Sequence, residues 1–193
     1  MTDFSIITEM PYINYVLSER ENNIKETINK LKLPDVKEDS TFDRTKQKVK
    51  NDFKLEEATI GDPKIVDYES IEKNFGRSYE NPFGGRRTVN IITISFPITG
   101  SEELFALKPM NFTFSLSSNL RVYQPTGTTV TIEIESFDLN KDNALIEAQK
   151  EIQLTRNVVE NNNNVIKQWN SSAESMIESL ANAKRVELLD FFK

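Results

Sequence analysis

Between residues 143 and 189, reading every three then four residues gives positions that are apolar save for Thr155 and Asn162: Leu145, Ala148, Ile152, Thr155, Val159, Asn162, Ile166, Trp169, Ala173, Met176, Leu180 and Ala183. This spacing lays one sustained stripe along a helix, the pattern of a coiled coil or a long helical hairpin. Ile146, Val158, Val165 and Ile177 lie beside the stripe and widen it beyond what a single partner helix covers. Asn161, Asn162, Asn163 and Asn164 are poor helix formers, but they cost only a few tenths of a kcal/mol each, so a packed helix passes through them. Asn170-Ser171-Ser172 is a sharper interruption, because Ser171 and Glu174 have the spacing of a capping box. The pattern therefore predicts helices over 142–169 and 172–190 that fold back or bend at 170–172. The alternative is one rod about 70 Å long. Asn162 reads either as a residue facing solvent near a wet helix end or as a register-fixing pair across a coiled-coil dimer.

At the other end, Ile13, Leu17, Ile24, Ile28 and Leu31 share one side of a helix predicted over 11–33. Pro11 suits its first turn and Pro34 stops it. Residues 35–50 carry many charges and one weak apolar pair, Val36 and Phe42, and read as a polar connector with at most a short helix. The period then changes. All six glycines fall between residues 61 and 127, and the apolar positions alternate. Short strands are expected at 53–56, 64–68, 104–107, 112–116 and 120–122, the one at 112–116 placing Phe114 in the core, and another at 130–134. The strongest is 89–98, where Ile92, Ile94, Phe96 and Ile98 share a face while Val89 and Ile91 make the other partly apolar, as in a central strand. The expected class is α+β: a central antiparallel β-sandwich or curled sheet with an N-terminal helix and a long C-terminal helical hairpin or coiled coil. Its regions are 1–50, 51–140 and 141–193.

Composition removes much chemistry. There is no cysteine and no histidine among the 193 residues, so disulfides, thiol nucleophiles, zinc clusters of the usual ligands and Ser-His-Asp arrangements are all excluded. A net charge of −6 opposes a surface devoted to nucleic acid, though a local basic patch is compatible with it. No run approaches the ~18–20 apolar residues of a membrane span, and the N-terminus lacks the order of a signal peptide, so no membrane contact and a cytoplasmic location are expected. Glu133 and Glu135 share one face of a strand, the right chemistry for a metal or acid/base pair, but such pairs are commonly the wet face of an edge strand. Gly84-Gly85 lacks the frame of a phosphate loop. No catalytic residue, metal site or cofactor is assigned.

Two surfaces remain. The loop over 75–87 carries Arg77, Tyr79, Phe83, Arg86 and Arg87, residue types that stack on bases, hold phosphates or grip a protein partner. Otherwise it is a long β-connection whose aromatics tuck into the sheet. The broad helical stripe, with Val158, Val165, Trp169 and Met176, is the expected seam for self-association or a partner helix across 145–180.

The segment Phe96-Pro97-Ile98-Thr99-Gly100-Ser101-Glu102-Glu103-Leu104-Phe105-Ala106-Leu107-Lys108-Pro109 resembles a P-x-T-G-x-x-E-L-F-x-x-[KR]-P strand-turn-strand of a group of uncharacterised bacterial proteins. Ile166-Lys167-Gln168-Trp169-Asn170, continuing to Lys184-Arg185-Val186-Glu187-Leu188-Leu189, is similar to a helix of the same group. In those proteins this region precedes a restriction-endonuclease-like domain of defence type. The resemblance, over roughly 88–190, implies a front half that senses, binds or oligomerises; the chain is then a stand-alone relative with its effector elsewhere, or a fragment. The expected function is a non-enzymatic binding and assembly module, the sensor or scaffold of a bacterial defence-type system. The alternative is a nucleic-acid-binding adaptor using the loop over 75–87. A hydrolase around Glu133 and Glu135 comes third.

Overall fold

The computed structural model describes residues 3–76, 84–110, 120–137 and 140–191. Its longest element is a helix, α5, running without interruption over Gln153–Phe191. The expected break at 170–172 does not occur. Asn170, which would have competed for the helix backbone, turns its amide outward to Leu55, accepting from the Leu55 N–H at 3.1 Å and donating to the Leu55 carbonyl at 2.8 Å. Ser171 caps nothing; its carbonyl accepts from the Ser175 hydroxyl one turn later. The interruption falls instead at Ile152, between α5 and the helix α4, Lys141–Glu151, which Asn140 caps by accepting from the Asn143 N–H.

Asn163 repeats the Asn170 arrangement one heptad earlier, accepting from the Ala58 N–H at 2.9 Å and donating to the Ala58 carbonyl at 2.8 Å. Asn162 is fully buried and donates to the carbonyls of Leu104 and Leu107, both at 2.8 Å. It neither faces solvent nor awaits a second helix. Residues 54–58 have no regular structure, yet Leu55 and Ala58 are buried, so their polar backbone atoms need partners that no ladder supplies. The asparagines of α5 supply them.

The N-terminal helix α1 spans Ile13–Asn29 and buries the expected Ile13, Leu17, Ile24 and Ile28. It stops before Pro34, which occupies the first turn of a short helix α2, Leu33–Val36, where Asp35 accepts from the Lys32 N–H. Proline thus opens a helix here. Residues 35–50 are no connector: most form the helix α3, Asp39–Phe53, with Phe42 and Val49 buried. Its stripe is thin because Lys46 and Lys50 share the inward side, and both reach Glu178 of α5, at 3.2 and 2.6 Å. Hydrogen bonds from Lys50 and then Lys46 hold the Glu178 carboxyl below its ordinary range. Burial pulls Lys46 down, but Glu178 and Asp43 outweigh it and raise the ammonium.

The central sheet is antiparallel and five-stranded. Its strands are β2 (Thr59–Ile60), β3 (Lys64–Phe75), β4 (Gly85–Thr99), β6 (Pro125–Thr126) and β7 (Thr129–Ser136). Their order is β2-β4-β7-β6, with β3 also paired to β4. A separate pair joins β1 (Phe4–Ile6) to β5 (Arg121–Tyr123). Ile92, Ile94, Phe96, Ile98, Ile132 and Ile134 form the buried face of the sheet, packed against α1, α4 and α5 in one core. This is the expected α+β arrangement, and the layer on that face is helical. Residues 104–107 are not a strand but follow from a 3-10 turn at Glu102–Phe105, with Leu104 and Phe105 buried. Gly100 makes this possible: it has φ +81°, and a Cβ there would lie 2.0 Å from the Glu57 carbonyl oxygen. Phe53 closes α3 rather than starting a strand. The strand expected at 112–116, with Phe114, lies outside the described residues.

Replacing Asn163 and Asn170 together by Ala should destabilise by about 2–4 kcal/mol in urea unfolding, since four backbone groups lose their partners. Asn161→Ala, whose exposed amide bonds only within its own helix, should be neutral or slightly stabilising. In acid, the Glu178 clamp should be complete above the usual Glu range and lost as pH falls through the depressed native value. Glu178→Gln should accordingly flatten the acid limb of a plot of stability against pH.

Candidate functional site

β3 and β4 pair from Lys64↔Ser95 to Phe75↔Gly85, whereas β7 follows β4 only as far as Asn90↔Ser136. The last five β3–β4 pairs, Ile71↔Val89 to Phe75↔Gly85, therefore form a two-stranded ribbon with no third strand among the described residues. Gly84 and Gly85, with φ +61° and +113°, carry the chain into β4 through backbone that other residues resist.

Of the predicted loop residues, Arg77, Tyr79 and Phe83 lie outside the described residues. Arg86 and Arg87 are consecutive in β4, so their side chains leave opposite faces of the ribbon. Arg86 is largely exposed, with the Glu72 carboxylate 3.8 Å away, an ion pair of little energetic weight. Arg87 lies opposite Lys73, which is ion-paired with Glu135. The Phe75 ring packs on Phe137 at 5.7 Å between centroids. Phe137 is 59 % exposed, so this aromatic pair is reachable from outside. Sequence reasoning missed Phe137 because its partner is distant in the chain; the only signal was an isolated aromatic just after a strand. The ribbon therefore offers an aromatic pair beside alternating charges, and no convergence of its two described arginines.

Glu133 and Glu135 share a face of β7 as expected, and Glu135 is held by Lys73. Among the described residues no group of three or more carboxylates is placed to hold a metal. The Tyr123 phenol is pushed up to about 12, first by burial and then by Glu151, which its hydroxyl meets at 3.1 Å. That raised value makes it a hydrogen-bond donor fixed in the core, not a base. An open groove of about 640 Å³ between β1 and the end of the 3-10 turn is lined by Phe4, Met10, Pro11, Val16 and Leu107, with Glu9 and Glu103 its carboxylates among the described residues.

The four helix residues expected to face a second chain are placed inward. Val158 is fully buried with Ile7, Met10 and Val122. Trp169 is 7 % exposed and its indole N–H donates to Glu21 at 3.2 Å. Val165 and Met176 are half-buried against the main core. The band is wide because α1, α3, β2, β5 and the 3-10 turn of the same chain surround α5. Among the described residues no helix is long and apolar enough to cross a membrane.

The chain matches no family model, no curated protein and no solved structure. Its α+β fold and its ribbon are therefore read on their own geometry.

Val158→Glu, which would dissolve only an interface if the residue faced a second chain, should instead unfold or strongly destabilise the monomer, by about 3–5 kcal/mol. Urea denaturation checks this; a melting curve like the wild type would place Val158 at the surface.

Proposed function

We propose that this protein is a cytoplasmic, non-enzymatic binding and assembly module that grips a partner protein with its β3–β4 ribbon. The observation that carries this reading is the run of β3–β4 pairs beyond β7, which has no third strand beside it among the described residues and sets the Phe75–Phe137 pair among charged side chains. Exposed aromatics with a charged surround are the usual anchors of protein interfaces. The resemblance of residues 96–109 and 166–189 to the front halves of defence-type nucleases supports a sensor or scaffold role in a bacterial defence system, with the effector as the natural partner.

The reading is tested with effector-type proteins encoded beside this chain's gene, measured by biolayer interferometry. Phe137→Ser combined with Arg86→Glu should weaken binding about tenfold or more without lowering the melting temperature. Titration of DNA and RNA under increasing salt should show no steep loss of affinity. Tight, salt-sensitive nucleic-acid binding that Arg86→Glu with Arg87→Glu abolishes would replace this reading with the adaptor alternative.

A further inference from the structure

β3 is a long edge. Among the described residues it pairs with β4 alone, over twelve residues. β2 lies on the same side of β4 but further along, opposite Ile98 and Thr99, so the far side of β3 is left without a strand among the described residues. Open edges of this length template further strands, and native proteins guard them with bulges and charges. The backbone guards here sit at one end, and Glu69, Glu72 and Lys73 carry charge along the rest. A bulge falls between Ile65 and Asp67, and the Asp67 carboxylate takes the Tyr68 N–H at 2.8 Å. Neither reaches the stretch from Glu69 to Phe75.

From this we infer that the strand completing the edge is β3 of a second copy, paired antiparallel about a two-fold axis at Ile71. The side chains select that register. On the sheet face away from the helices, Ile71 meets its own copy. Val89, buried and directly opposite Ile71, extends the contact to four aliphatic side chains across four strands. One step along, Glu69 of each copy faces Lys73 of the other. Glu69 lies in a row with Ile91 and Glu135, and Lys73, which Glu135 already holds within the chain, lies in a row with Arg87, so opposite charges meet on both sides of the axis. Moving the axis to Glu69 or Glu72 sets a carboxylate on its own copy. Moving it to Ser70 sets Ile71 against Glu69. Only the Ile71 register satisfies both the aliphatic and the charged pairs. The result is one continuous sheet with both helical layers on the same side. The seam buries a single strand from each copy, so the dimer is weak and forms in the micromolar range.

This inference deepens the assembly half of the proposed function, and it fails separately from the ribbon's grip on a partner protein. The test uses charge exchange between two full-length variants. Glu69→Lys alone opposes lysines across the seam, and Lys73→Glu alone opposes glutamates. Each should remain monomeric in sedimentation equilibrium where the wild type dimerises, weakened about tenfold or more, with unchanged circular dichroism. Mixed, the two variants are complementary at both pairs and should form a heterodimer with at least wild-type affinity. A wild type that stays monomeric through the micromolar range, single variants that still dimerise, or a mixture that stays monomeric would each overturn the proposal. The first of these outcomes, with partner binding intact, would leave the proposed function standing without its self-assembly.

Discussion

Everything in this fold leans on the way one helix satisfies backbone that cannot satisfy itself. Buried, irregular chain is costly because each N–H and C=O taken from water needs a replacement partner. The link between α3 and β2 is such a chain, and so is the turn after β4. Asn163 and Asn170, seven residues apart on α5, each engage both polar atoms of one link residue, while Asn162 collects two carbonyls of the turn. An asparagine amide offers a donor and an acceptor side by side, so it can stand in for a neighbouring strand. Without these contacts the link would have to be solvated, and α3, the sheet and α5 could not close on one core.

That constraint also explains what is left over for function. The helices are committed inward: α5 is enclosed by elements of its own chain, and the Lys46–Glu178–Lys50 cluster ties α3 to it. The buried side of the sheet is spent against the same helices. Among the described residues, the ribbon and the β3 edge are parts of the sheet that this packing does not use. Their side chains set a few apolar groups among many charges, which suits recognition and weak, reversible pairing better than permanent assembly.

Legibility from sequence followed the range of the interactions. The period of α5 and the alternation of β4 are local, repeated signals, and both elements were evident, as was the inward face of α1. The break at 170–172 was misjudged because a capping box is a local rule and Asn170 is committed to Leu55, 115 positions away. α3 was hidden because half of its inward face is lysine, neutralised by a glutamate far along the chain. Residues 104–107 looked like a strand because a short apolar run does not reveal its period. The breadth of the α5 band was read as a surface for a second chain, since one stripe cannot tell how many elements of its own chain will cover it. The loop over 75–87 stood out by composition, but that Arg86 and Arg87 diverge follows only from their strand.

Native-state hydrogen exchange at the amides of Leu55 and Ala58 tests the central claim most directly. Both residues lie in a segment with no helix or strand of its own, yet both donate to asparagines of α5. Their protection should match that of core amides in α5 and β4, opening only with global unfolding. Exchange at the rate of an open loop would contradict the account, because the segment would then be held by burial alone and the asparagines would be bystanders.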